Sequence, residues 1–121
     1  MIQNEKDFIE WIDGQLNDDL PSQIVAFNIN IYESPFKIEM IGSSEFDTED
    51  EDWACNEDWV PENRSVSVAG SIFGDSWEVA QGNILAMAKL YLTSSSKNVF
   101  KIKAAKAFSV GFVEGNLSYV Q

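Results

Sequence analysis

A chain of 121 residues is the size of one domain, and its 45% apolar and 12% aromatic content belongs to a sequence that folds around a core. Twenty acidic side chains against 8 basic ones give a net charge of −12, a poor match for nucleic acid or an anionic membrane surface and a good one for a cationic protein. The absence of His excludes His-dependent triads and the common zinc sites, the single Cys55 excludes an internal disulfide, and no apolar run reaches membrane-spanning length. Because Met1 to Asp7 lack the basic and apolar regions of a signal peptide, a cytoplasmic protein is expected.

The first predicted element is an amphipathic helix from Lys6 to Leu16, with Phe8, Ile9, Trp11, Ile12 and Leu16 on its stripe and Asn4 as N-cap. Pro21 ends that pattern. Ile24 to Tyr32 then alternates Val25, Phe27, Ile29 and Ile31 against Asn28 and Asn30, the period of a half-buried strand. Ser34-Pro35 supplies a turn into a hairpin partner, Phe36 to Ser44, with Phe36, Ile38 and Met40 opposite Lys37 and Glu39. Glu45 to Glu62 has no periodicity and reads as a loop. Strand character returns over Arg64 to Phe73, where Val66 and Val68 alternate with Ser65 and Ser67. A second helix, Ser76 to Leu92, follows with Asp75 or Ser76 as its cap.

Val99 to Ala105 fits neither period, since Lys101, Lys103 and Lys106 interrupt both, and is either a short helix or an irregular edge. A terminal hairpin closes the series, Phe108 to Val113 and Leu117 to Val120 joined by Glu114-Gly115-Asn116. Helices that do not alternate regularly with strands predict a single α+β domain over 1–121, an antiparallel β-sheet with helices packed on one face. The expected core is Phe8, Ile12, Val25, Phe27, Ile29, Ile38, Met40, Val66, Val68, Ile84, Ala88, Tyr91, Val110 and Phe112.

The acidity is regional. Residues 1–63 hold 17 acidic and 2 basic side chains, whereas residues 64–121 hold 3 acidic and 6 basic. Its densest part, Glu45 to Glu62, carries nine carboxylates and no cation. Within it the candidate partner-binding residues are Asp47, Glu49, Asp50, Glu51, Asp52, Trp53, Glu57, Asp58 and Trp59. Carboxylates steer a cationic partner and one or two desolvated rings hold it, which is the chemistry of an interface for a Lys- and Arg-rich protein. Equally, both tryptophans can pin the loop to the core while the acids form a solvated face.

Other chemistries fit the sequence less well. Asp47, Glu49, Asp50 and Asp52 crowd oxygen atoms as calcium loops do, but the glycine turn and terminal bidentate Glu of an EF-hand are missing, so no metal ligand is assigned. A carboxylate-dependent hydrolase needs two acids with opposed environments, and nothing marks such a pair. Cys55 has no His to activate it and sits among carboxylates that disfavour the thiolate, so it reads as an inert, part-buried side chain. With no glycine-rich phosphate loop either, no catalytic residue and no cofactor are expected.

The stretch Trp53-Ala54-Cys55-Asn56-Glu57-Asp58-Trp59 before a strand, the helix after Asp75, and Val110-Gly111-Phe112-Val113-Glu114-Gly115-Asn116-Leu117 together resemble a known family. The sequence is similar to the small cytosolic immunity proteins of bacterial polymorphic-toxin and contact-dependent growth-inhibition systems. That resemblance implies a non-enzymatic protein that binds one cognate toxin domain, often a basic nuclease, and occludes its active site or substrate surface. It carries over no contact residue. An acidic regulatory or adaptor module for another basic protein is the alternative.

Overall fold

The computed structural model describes residues 1–113 and 115–121. It contains α1 (Glu5–Gln15), β1 (Ala26–Tyr32), β2 (Lys37–Ser43), a 3₁₀ turn (Glu51–Cys55), β3 (Ser65–Ser67), α2 (Gly70–Phe73), α3 (Trp77–Thr93), α4 (Val99–Lys103), β4 (Ala107–Phe112) and β5 (Ser118–Tyr119). The strands form one five-stranded sheet in the order β3-β2-β1-β4-β5, so the α+β class holds.

The sheet is mixed where an antiparallel one was expected. β1 pairs antiparallel with β2 and β2 with β3, but β4 runs parallel to β1, Phe27 opposite Phe108 and Ile29 opposite Val110. The cause lies in the chain path. Two antiparallel steps leave β3 running in the direction of β1, and α3 then carries the chain back over the sheet so that β4 enters in that same direction.

Local sequence explains the helix starts. Asn4 is extended, and its side-chain oxygen accepts from the Asp7 N–H at 2.9 Å; Ser76 does the same for the Val79 N–H at 3.2 Å. The ambiguous lysine-bearing segment is helical, and Lys101 extends its ammonium to the Leu16 carbonyl at 2.5 Å, closing the C-terminal end of the α1 region. The predicted strand from Arg64 to Phe73 is much shorter, giving way to α2. Val68 donates to the Phe36 carbonyl and Ala69 to the Ile2 carbonyl, but beyond Phe36 the β1-β2 turn leads away, so residues 70–73 have no strand to pair with. The expected strand Leu117 to Val120 shrinks to the two residues of β5, and Glu114, from the predicted turn before it, lies outside the described residues.

One face of the sheet carries the main core. Phe8, Ile12 and Leu16 from α1, Ala80, Ile84, Ala88 and Tyr91 from α3, and Phe27, Ile29, Ile38, Met40, Phe108 and Val110 from the strands pack into one cluster. Val25 and Val66 from the expected core are only half-buried: Val25 precedes β1, and Val66 sits on the short edge strand. Ile2, Trp59 and Ile102 belong to the cluster without having been expected there.

Candidate functional site

On the other face of the sheet no helix packs among the described residues. The acidic run crosses it instead. Its attachment starts at Gly42, whose N–H and carbonyl pair with Trp59 at 2.8 and 3.1 Å, which clips the far end of the run to the edge of β2. Gly42 is required there, because a Cβ would stand 2.9 Å from the Ile24 side chain and 3.2 Å from the Trp59 ring. Trp59 thereby turns into the helix-side core and meets Phe27 edge-on at 6.1 Å. Trp53 turns into a second cluster on the opposite face, with Ala26, Ala54 and Ala107, and packs edge-on against Phe46.

Both tryptophans are therefore pins for the loop, with relative exposures of 3% for Trp53 and 8% for Trp59, and neither ring stands out as a surface anchor. The other seven candidates, Asp47, Glu49, Asp50, Glu51, Asp52, Glu57 and Asp58, are exposed, as are Glu45 and Glu62. Cys55 is exposed too, contrary to the part-buried position expected, because the 3₁₀ turn directs Trp53 and Ala54 inward and leaves the next residue outside.

Several carboxylates shape the run that carries them. Asp50 caps the 3₁₀ turn by accepting from the Asp52 N–H at 3.0 Å, and Asp47 accepts from the Glu49 N–H at 2.8 Å. Asp58 accepts both the Ser44 N–H and the Ser44 hydroxyl at 2.8 Å, tying the start of the run to its end. Those two donors hold the Asp58 carboxyl below the usual carboxylate range, the backbone bond contributing most. Such bonds fix direction without removing charge. Among the described residues, only Glu57 of the nine lies within ion-pair distance of a cationic side chain, Arg64 at 2.5 Å.

Beside the run, the polar side of β1 and β2 forms a connected network. Ser109 donates to Asn28 at 2.8 Å, Asn28 to Asn30 at 2.8 Å, and Asn30 to Glu39 at 3.4 Å. Tyr32 donates to the same Glu39 oxygen at 2.5 Å, and Arg64 donates to the other at 3.0 Å before reaching on to Glu57. Burial pushes the Glu39 carboxyl up, but the Tyr32 hydroxyl and Arg64 outweigh it and hold Glu39 below its ordinary value. The Tyr32 phenol is pushed up to about 12, first by burial and then by its bond to Glu39. Glu57 and Glu39 together raise Arg64.

Sequence reasoning read Asn28, Asn30 and Glu39 correctly as the polar side of two strands but did not anticipate the network that joins them. Arg64 left a signal: it is the sole cation between Lys37 and Lys89 and follows the acidic run directly. Glu39 left none, because its partners Tyr32 and Arg64 are 7 and 25 residues away.

Two hollows flank the 3₁₀ turn. One, about 500 Å³, lies between Glu45, Asp47, Asp50 and Lys106; the other, about 320 Å³, opens over Asn28, Asn30 and Tyr32. Asp52 lines both. Among the described residues, no three Cys, Asp or Glu side chains converge in a way that would hold a metal ion, and no helix is long and apolar enough to cross a membrane. No protein-family model, curated protein or solved structure matches this chain.

Proposed function

We propose that this chain is an immunity protein of a bacterial toxin system, binding a cognate basic, nuclease-type toxin domain and occluding its active site or substrate surface. The observation that carries the reading is a run of nine exposed carboxylates, pinned at two buried tryptophans and offset by one ion pair among the described residues. Like charges gathered on a fixed loop raise the energy of the free protein, and an incoming cationic surface relieves it. Geometry of this kind favours fast, salt-sensitive encounter, and the rigid seat keeps the ordering cost of binding low.

The protein acts by binding, in the cytoplasm of the cell that makes both partners, and takes neither nucleic acid nor membrane as its target. The sequence holds no His to act as a base for Cys55, and the abundance of carboxylates in the run marks no particular pair. The test is co-expression with the product of the neighbouring gene. A stable one-to-one complex in which the partner's toxicity is abolished supports the reading. A neighbouring product that forms no complex, or a metal-dependent hydrolase activity that stays with this chain through repurification, contradicts it.

A further inference from the structure

The smaller hollow lies on the sheet face that the helices leave uncovered. Asn28, Asn30 and Tyr32 of β1 make its floor, the 3₁₀ turn supplies Glu51, Asp52 and Cys55 along one side, and Val113 and Leu117 stand on the other. Two details hold the sides together. A Cβ at Gly111 would meet the Asn116 carbonyl and the Leu117 side chain at 3.1 Å, so glycine lets the C-terminal segment lie low over β4. The Leu117 N–H then donates to Glu51 at 3.4 Å, joining the two sides.

The charges around it are unequal. At the Tyr32 end Glu57 is already paired with Arg64, whereas Glu51 and Asp52 have no cationic side chain within ion-pair distance among the described residues. On the floor Asn28 is buried, whereas Asn30 is half-buried, and its side-chain oxygen, which accepts from Asn28, retains a second lone pair. The hollow thus offers carboxylates on one side, the Asn30 amide oxygen below and apolar carbon opposite. A guanidinium fits this set better than an ammonium does, because it is flat, carries five donors in a fork and is weakly hydrated. A volume of about 320 Å³ is at the small end of ligand clefts, right for one long side chain.

We infer that this hollow receives an arginine side chain of the partner protein, an assignment that rests on reading the chain as a binder of basic proteins. Cys55 makes it testable in the native chain, being the single cysteine, exposed and on the wall of the hollow. Hexa-arginine peptide serves as the probe at low salt, with alkylation of Cys55 by N-ethylmaleimide followed by mass spectrometry. The peptide is expected to slow alkylation saturably, about tenfold at ten times its dissociation constant. Prior alkylation, which alters no carboxylate, is expected to weaken peptide binding. Protection should be lost in Glu51→Gln/Asp52→Asn and kept in Asp47→Asn/Glu49→Gln, which changes charge equally.

Peptide that binds while Cys55 reacts at its free rate, or faster as a nearby cation favours the thiolate, overturns the hollow as the seat and leaves the acidic-surface reading standing. Equal protection by hexa-lysine overturns the choice of arginine. A chain that binds neither peptide at low salt overturns the acidic-surface reading itself.

Discussion

β1 sets two environments back to back. Phe27, Ile29 and Ile31 point into the helix-covered core, and Asn28, Asn30 and Tyr32 point the other way into a hydrogen-bonded network. Apolar packing on the first face is non-directional and supplies most of the stability. The second face buries Asn28, Ser109 and Glu39 nearly completely, yet each has a partner at 3.4 Å or less, so it contributes geometry at little net gain in stability. The difference teaches that one alternating strand can serve stability on one side and presentation on the other, with the acidic run fastened to both through Trp59 and Trp53.

The largest expected effect falls on the packed side. Phe27→Ala or Trp59→Ala should cost about 3–5 kcal/mol by urea denaturation, from lost burial plus the cavity left behind. A loss below about 1 kcal/mol for Trp59→Ala would break the claim that this ring belongs to the core.

Next comes Arg64→Ala, which leaves the nearly buried Glu39 with Tyr32 and Asn30 alone and frees Glu57 of its counter-ion. The loss is expected to be smaller than on the packed side, because the Arg64 guanidinium is exposed and screened by solvent. Measuring the same variant at low and high salt sharpens the comparison, since the packed face should show no such dependence.

The polar face should also contribute to pH dependence. Glu39 titrates below its ordinary value in the folded chain, so its contribution is present above that ordinary value and is lost as pH falls through the lowered one. Tyr32 is shifted upward, so its contribution is complete below about 10 and is lost as pH rises through about 12. Urea midpoints across pH should lose part of their acid-side fall in Glu39→Gln and part of their alkaline-side fall in Tyr32→Phe, the rest of the alkaline fall belonging to Tyr91 of the packed core, whose phenol is raised by burial and by its bond to Asp13. A wild-type profile kept by both variants would show the network to be energetically silent.

What could be read from the sequence follows the range of the interactions. The period-2 alternation of β1, the helical stripe with Phe8 and Ile12, and the caps Asn4 and Ser76 are set by neighbours a few residues apart, and these were legible. The parallel seat of β4 depends on a path of some forty residues through α3, and the truncation of β3 depends on where β2 begins; neither leaves a local pattern. For the site, the acids were visible by composition. The inward turn of Trp53 and Trp59 was not, because the same aromatic-in-acid pattern serves an anchor and a pin, and only Gly42 opposite Trp59 distinguishes them.

The smallest stability effect belongs to the exposed rim. Asp47→Asn and Glu49→Gln should move unfolding by no more than about 0.5 kcal/mol, since the amide that replaces the Asp47 carboxylate keeps a side-chain oxygen to accept from the residue 49 N–H. Those near-silent changes give the most direct test of the central claim, that the acidic run draws in a basic partner. The measurement is the association rate with the neighbouring gene's product at low and at high salt, for the natural chain and for Asp47→Asn/Glu49→Gln/Asp50→Asn/Asp52→Asn. The account predicts slower association at low salt and a shallower salt dependence in the variant, with thermal stability maintained. Identical association rates and identical salt dependence would contradict it.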